Sequence, residues 1–426
     1  MKVTAHIFDY GTFRHSKTLL RAVLLIWVFL VASANSPTVF GQPLSRPELV
    51  KLQEVFATAS KLIQNGNAQQ AVEQYTIGVG IAPSFSLLYV NRGVAYLSLA
   101  KYAEALADAD KALSLMAGGP SELANAADIV NYSAVAYQVK GTALQSRGEY
   151  KPAIEAFSKS IELVPTEAKF RNSRGGGYRF LKDYDAALKD YDKAIELDPT
   201  VAMFFANRAS IRLTMKNLDG AVADSDAALR IDKANENAYY TRATAYIELK
   251  KFPESLVDFN KAISLNPKSE FLHGRARYYF IQGNYDLAVK DYTDALVVDP
   301  ANANAFGDRA VAYSRLGKNA EAIADIRKAL ALKGESALMR YTLAYLLYKT
   351  GQFAAAASEA TRVIGLAPKW RDPYLVRANA RVKLGEQAKA KADRDMAANL
   401  GAGNRPVENA SAFDLELVVV SEEKDK

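Results

Sequence analysis

The residues able to do chemistry in this 426-residue chain are few. It has no cysteine and three histidines, His6, His15 and His273. Without cysteine, disulfides, zinc–thiolate sites, thiol catalysis and lipid attachment through sulfur are excluded. No histidine pair has the one-turn spacing of a helical metal site, and no acidic loop has cation-binding spacing. A Ser–His–acid triad would have to use His273, which sits in a helical pattern and not on a sharp exposed turn. The run Arg174-Gly175-Gly176-Gly177-Tyr178 is glycine-rich but mid-helix and follows no strand. Close helix packing or a local kink is expected there in place of a phosphate loop. Neither a cofactor nor a metal is expected.

One charged constellation recurs. Arg92, Arg174, Arg208, Arg242, Arg275, Arg309 and Arg377 are followed sixteen residues later by Asp108, Asp190, Asp224, Asp258, Asp291, Asp325 and Asp393. Where the Arg is replaced (Thr58, Lys140, Leu343), the Asp is replaced too (Gln74, Ala156, Glu359). This internal co-variation predicts an Arg–Asp pair that closes between two antiparallel helices. A basic ladder for an anionic ligand would leave the Asp unexplained.

What positions those pairs is a block of about 34 residues that recurs ten times, starting at Leu52, Ser86, Ala134, Ala168, Ala202, Glu236, Ser269, Ala303, Ala337 and Arg371. Counting each of these as position 1, the Arg falls at position 7 and the Asp at position 23. Large apolar residues at 4, 8 and 11 make one helical face, and those at 17, 20, 24 and 27 a second. Gly or a polar pair separates the two, as in Arg147-Gly148-Glu149 and Gln282-Gly283-Asn284. Small residues fill position 20 (Ala71, Ala105, Ala153, Ala187), and proline follows the second helix at Pro83, Pro165, Pro199, Pro267, Pro300 and Pro368. The spacing predicts helical hairpins that cannot bury their apolar faces alone and therefore stack. The order of residue types resembles the tetratricopeptide repeat. That resemblance implies an all-α, right-handed superhelical solenoid of about ten helix hairpins.

The formal charge of +7 is dilute: Lys2, Arg14, Lys17 and Arg21 against Asp9 give +3 over residues 1–34, leaving about +4 for the rest. No dense Lys/Arg run argues for nucleic acid. Lys17 and Arg21 precede the apolar run Ala22–Val31, then Ala32-Ser33-Ala34, a small-x-small cleavage pattern. The run is shorter than a spanning helix needs. Residues 1–34 are therefore expected to be a signal peptide cleaved after Ala34, giving a secreted or periplasmic product. A membrane anchor over 22–34 is the alternative, and a buried N-terminal helix the bland one. Residues 35–51, with Pro37, Pro43 and Pro47, read as a linker, and 52–117 as repeats 1–2. Gly118-Gly119-Pro120 breaks the register, and Ser121-Glu122 reads as the start of an insertion over 118–133 that extends the first helix of repeat 3. Repeats 3–10 then fill 134–404. The tail 405–426 alternates Phe413, Leu415, Leu417 and Val419 before a charged end, consistent with a short strand or capping segment.

The resemblance also implies that the first helix of each repeat lines an inner groove where a protein or peptide partner lies. The groove positions 2, 5, 9, 12 and 13 carry Arg179, Phe180, Tyr240, Glu248, His273, Arg277, Phe280, Arg315, Tyr341, Tyr345, Tyr348, Lys349, Asn379 and Lys383. Aromatic residues with Arg are common binding anchors. The stripe Tyr341, Tyr345, Tyr348 reads equally well as packing against a neighbouring helix. A subfamily clamps chaperone carboxylates across three repeats. Asn91-Arg92 matches its middle repeat, but Phe56, Ser60, Val135 and Val139 at the flanking positions cannot hold a carboxylate. The expected function is a non-catalytic binding scaffold in the cell envelope. The alternative is a membrane-anchored subunit of an export, polysaccharide or cell-wall assembly. A glycosyltransferase-like enzyme is disfavoured because no catalytic domain remains outside the repeats.

Overall fold

A computed structural model describes residues 38–39, 42–118 and 126–401. Before the first helix, β1 (Thr38–Val39) pairs antiparallel with β2 (Gln42–Pro43). The remaining elements among the described residues are twenty helices that alternate as first and second members of hairpins. The hairpins are α1 (Arg46–Gln64) with α2 (Ala68–Ile81), α3 (Ser86–Ser98) with α4 (Tyr102–Ala117), α5 (Ala126–Ser146) with α6 (Tyr150–Leu163), and α7 (Ala168–Phe180) with α8 (Tyr184–Leu197). After them come α9 (Ala202–Thr214), α10 (Leu218–Ile231), α11 (Glu236–Glu248), α12 (Phe252–Leu265), α13 (Ser269–Ile281) and α14 (Tyr285–Val298). The last three hairpins are α15 (Ala303–Arg315) with α16 (Asn319–Lys333), α17 (Ala337–Lys349) with α18 (Phe353–Leu366), and α19 (Asp372–Lys383) with α20 (Gln387–Leu400). The chain divides into two compact units, Met1–Lys216 and Asn217–Lys426.

Each hairpin turns at repeat position 15 with a residue at positive φ: Gly66, Ala100, Gly148, Lys182, Lys216, Lys250, Gly283, Gly317, Gly351 and Gly385. The left-handed conformation ends the first helix and reverses the chain. Glycine adopts it without cost, so Ala100 and the three lysines hold it under about 1 kcal/mol of strain or more. Positions 20 and 27 are the closest approach of the two helices. Ala105, Ala153, Ala187, Ala221, Ala288, Ala322 and Ala356 are fully buried there. Tyr191, Phe259 and Tyr292 at position 24 fill the space beside them.

One boundary differs from that expected. Helix α1 starts six residues upstream of Leu52, inside the segment read as linker. Ser45 caps it: its backbone N–H donates to the Glu48 carboxylate at 2.7 Å, and Pro47 sits in the first turn, where a missing N–H costs nothing. Helix α5 is 21 residues long against 13 for α3, so the first helix of repeat 3 begins ahead of Ala134. The signal and cleavage positions 1–34, the Ser121 cap, and the tail 405–426 lie outside the described residues. No described helix is long and apolar enough to cross a membrane.

Candidate functional site: the inner face of the first helices

Within each unit, a first helix packs on its own second helix and, through the second, on the next first helix. Successive first helices also touch directly (α3 with α5, α5 with α7, α13 with α15, α17 with α19), whereas second helices do not meet to a comparable extent. First helices therefore crowd the inner side of each stack. Their inward residues divide into those that hold the stack and those left over.

The Arg row belongs to the first group. Arg242 Nε and Nη2 donate to Asp258 Oδ2 and Oδ1 at 2.7 and 2.8 Å, the two-pronged geometry a guanidinium makes with a carboxylate. Arg92–Asp108, Arg174–Asp190, Arg275–Asp291, Arg309–Asp325 and Arg377–Asp393 repeat it. Arg208 and Asp224 belong to different units; within its own unit Arg208 reaches Asp192 at 2.7 Å. The Asp side chains are only 3–8% exposed at Asp108, Asp190, Asp258, Asp291, Asp325 and Asp393. The hydrogen bonds that Arg242 donates to Asp258 raise its pKa above the ordinary value, so this guanidinium stays charged.

The remaining prong does something sequence reasoning missed. In each case Nη1 reaches back to position 25 of the preceding hairpin: Arg92 to Thr76, Arg174 to Ser158, Arg242 to Asp226, Arg275 to Asn260, Arg309 to Thr293 and Arg377 to Thr361. One guanidinium thus closes its own hairpin and stitches it to the one before. Lys140, which replaces Arg in repeat 3, still makes the second bond, to Asp110 at 2.7 Å. In repeat 9 the exchange is different. Leu343 stands at position 7, and Arg340, one turn earlier, pairs with Glu359 at 2.8 Å and with Glu335. The longer Glu at position 23 matches the displaced Arg. The one signal in sequence is that position 25 offers an acceptor (Thr, Ser, Asp or Asn) before each Arg or Lys but is Arg327 before Leu343.

A second polar line joins first helices directly. Position 5 of one repeat bonds position 6 of the next: Gln138 to Ser173 at 2.7 Å, Asn207 to Asn172 at 2.8 Å, and His273 Nε2 to Asp308 Oδ2 at 2.8 Å. The Asp308 side chain is wholly buried and its Oδ1 has no partner among the described residues. The His273 ring lies 5.3 Å from Tyr292. His273 is thus a stacking residue at a repeat junction.

The expected groove residues do not form one class. Phe280 is buried against Tyr285, Tyr341 is fully buried against Trp370 at 4.5 Å, and Asn379 is buried as well. These three are core, because neighbouring first helices approach too closely there to leave an open surface. Tyr240 packs on Phe259 and Phe271, and burial pushes its phenol up to about 12. Arg179 lies over Phe180, which stacks on Tyr150 at 4.8 Å. Arg277, Arg315, Tyr345 and Tyr348 are half-buried, while Lys349, Lys383 and Glu248 are exposed. Lys349 lies over the Tyr345 ring at 5.6 Å. The Gly run packs as a close contact: a Cβ on Gly175 would lie 2.9 Å from the Tyr191 ring, and one on Gly177 2.8 Å from Ile154. A Cβ on Gly176 would meet the Gln145 amide at 3.5 Å, an ordinary contact. Among the described residues, no group of three or more His, Asp or Glu could hold a metal ion.

Comparison with known proteins agrees with this architecture. Models described as "Tetratricopeptide repeat" match residues 56–122, 134–166, 168–201, 236–269 and 307–369, and one described as "TPR repeat" matches 276–317. Together they span more than half of the chain. The chain is similar to a Protein SGT1 homolog of Oryza sativa subsp. japonica, 36% identical over 90 residues, covering 21% of this chain and 24% of that protein. It is similar to serine/threonine-protein phosphatase 5 of Rattus norvegicus, 31% identical over 105 residues, 25% of this chain and 21% of the phosphatase. This chain thus spans under a quarter of the length of either relative. Its fold is like that of a chain in the APC/C hetero-tetramer Cut9-Hcn1, with a TM-score of 0.54 at 14% identity, over 84% of this chain and 66% of that one.

Proposed function

Because the chain belongs to the tetratricopeptide repeat family, whose members act as protein-binding scaffolds, we propose that it is a non-catalytic scaffold of the cell envelope that holds a protein or peptide along its inner face. One observation carries the reading. The stack uses positions 7, 23 and 25 for its own ion pairs, whereas Arg277 and Lys349, on the first helices, have no carboxylate bonded to them among the described residues, and Tyr345 beneath Lys349 is half-buried. Half-exposed aromatic and Arg side chains are what protein partners use as anchors, because they bury large areas with few rotatable bonds. The envelope location rests on Lys17, Arg21, the apolar run and Ala32-Ser33-Ala34. Retention of residues 22–34 as an anchor gives the second reading, a membrane-tethered subunit of an export, polysaccharide or cell-wall complex.

The test is capture from an envelope extract by the full chain, its Arg277→Glu/Lys349→Glu variant, and an outer-face variant, Lys261→Glu/Lys290→Glu. A specific partner should be lost, at least tenfold, only from the first variant. Loss from the outer-face variant alone would overturn the inner-face reading. Sequencing the mature N-terminus separates the two locations: Asn35 first means export, and Met1 retained in the membrane pellet means the anchor.

A further inference from the structure

His273 and Arg277 lie one turn apart on α13, which puts their Cβ atoms about 6 Å apart on one side of the helix. Both keep bonding capacity that the Arg–Asp ladder uses up. His273 Nε2 meets Asp308 Oδ2 at 2.8 Å, and an ionised carboxylate only accepts, so Nε2 carries the hydrogen. The second ring nitrogen, Nδ1, bonds nothing among the described residues. The His273 side chain is 20% exposed, while that of Asp308 behind it is fully buried. Arg242, Arg275, Arg309 and Arg377 each commit their guanidinium to a carboxylate. Arg277 has none bonded to it among the described residues, and its buried Nε has no partner there.

The charges of Arg277 and Asp308 reach the same ring. Tyr292 is wholly buried; burial pushes its phenol well above the ordinary range, the Asp308 charge pushes it further, and Arg277 pulls it back. Arg277 acts in the same sense on Tyr240. The ionisable groups around His273 are thus Glu270 and Arg277 on its own helix, Tyr240 on α11, Tyr292 on α14 and Asp308 on α15. Helix α12 meets α13 through Phe259 and Asn260.

A guanidinium without a carboxylate, beside an imidazole nitrogen, suits an anion of carboxylate size. Asp308 and Arg277 offset one another, so a carboxylate arriving alone would leave an uncompensated negative charge in a half-buried place. A proton on Nδ1 removes that charge and adds an N–H donor toward the arriving oxygen. Imidazole is the side chain that exchanges a proton between pH 5 and 8. A neutral amide could use the same atoms without a proton, donating to Nδ1 and accepting from Arg277, so the two ligands differ in their response to pH.

We propose that His273 and Arg277 form an anchor on the inner face for a partner's carboxylate, from an Asp or Glu side chain or a chain terminus, and that the carboxylate binds together with one proton on His273 Nδ1. Asp308 is the positioning residue that holds the ring from behind. This rests on the inner face being a partner-binding surface, as proposed above, and adds which group of the partner is read there.

The test uses the full chain labelled at its histidine imidazoles, observed by nuclear magnetic resonance; the signal missing from His273→Gln belongs to His273. Gln138 holds the same repeat position and bonds Ser173 across its own junction, so this variant keeps an amide donor for Asp308. The probes are the capped peptide acetyl-Ala-Ala-Glu-Ala-Ala-amide and its Gln counterpart. The Glu peptide should shift the His273 signal to saturation and bind at least tenfold tighter than the Gln peptide at pH 6. Its affinity should fall at least tenfold between pH 6 and pH 8, because one linked proton changes affinity by up to tenfold per pH unit, while that of the Gln peptide changes less than twofold. His273→Gln should flatten the pH response, and Arg277→Gln should abolish the preference for Glu. Lys261→Gln with Lys290→Gln, on the outer side, should change neither. Equal binding of the two peptides, a Glu affinity that does not change with pH, or a Glu preference that survives Arg277→Gln overturns the proposal. If neither peptide shifts the His273 signal while envelope capture still depends on Arg277 and Lys349, the carboxylate anchor falls alone. If capture is also independent of those residues, the inner-face reading falls with it.

Discussion

In the N-terminal unit, positions 9, 12 and 13 of the first helices α1 to α9 carry a single charge, Arg179; in the C-terminal unit the same positions of α11 to α19 carry Arg277, Arg315, Lys349, Lys383 and Glu248. The junctions differ in the same sense. Amide and hydroxyl side chains, Gln138 with Ser173 and Asn207 with Asn172, join first helices in one unit, and an imidazole–carboxylate pair, His273 with Asp308, joins them in the other. Beneath both runs the same ion-pair row, with Arg174–Asp190 and Arg309–Asp325 superimposable in their bond lengths to about 0.1 Å. Positions that hold the stack repeat in both units, and the charges at positions 9, 12 and 13 do not. In a solenoid each hairpin packs only on its neighbours, so surface chemistry can change along the array without disturbing the fold.

The largest effect expected is at high pH, where both units should fail. Burial pushes Tyr75, Tyr132 and Tyr191 in the first unit, and Tyr240 in the second, up to about 12, and Tyr292 higher still. An unfolded tyrosine ionises near 10. The folded state therefore binds more protons between pH 10 and 12, and stability falls as pH rises through that window; below pH 10 the contribution is full. Far-ultraviolet circular dichroism should show unfolding that tracks tyrosinate absorbance. Tyrosines that ionise near pH 10 with helicity intact would contradict the burial.

Next in size, Arg92→Ala in the first unit and Arg309→Ala in the second should each destabilise by about 3–5 kcal/mol in urea melts, because each strands a nearly buried carboxylate. A cost in one unit only would break the claim of a shared scaffold. Smaller again, Gly175→Ala should lose about 1–3 kcal/mol by driving a methyl into the Tyr191 ring. Its neighbour Gly176→Ala, which would meet only the Gln145 side chain at an ordinary contact distance, should gain about 1 kcal/mol from helix propensity. If both changes destabilise alike, the inner face near Gly176 is packed and not free.

The hairpins, their turns and the Arg–Asp offset were legible because each depends on one residue type at one spacing. Position 25 was not, since Thr76, Ser158, Asp226, Asn260 and Thr293 share only the ability to accept a hydrogen bond. The exchange in repeat 9 hid for a related reason: Arg340 and Glu359 restore the pair with the Arg moved by three residues and the acid lengthened by one methylene. The start of α1 was misplaced because Pro43 and Pro47 read as linker, although Ser45 and Glu48 spell a capping box three residues apart. On the inner face, repeat position alone could not separate core from surface. Tyr341 and Tyr345 differ by one turn, yet the first is sealed under Trp370 and the second is half-exposed, because Trp370 lies before a first helix of altered start, Asp372.

The division between scaffold and surface is tested most directly by one set of urea melts within the second unit: Arg242→Ala, Asp258→Ala, their double variant, and Arg277→Ala. The account predicts that the two single changes at the pair are each costly, that the double costs less than their sum by about 2 kcal/mol or more, and that Arg277→Ala stays within about 0.5 kcal/mol of the parent. A coupling between Arg242 and Asp258 indistinguishable from zero, or an Arg277→Ala loss as large as that of Arg242→Ala, would contradict it.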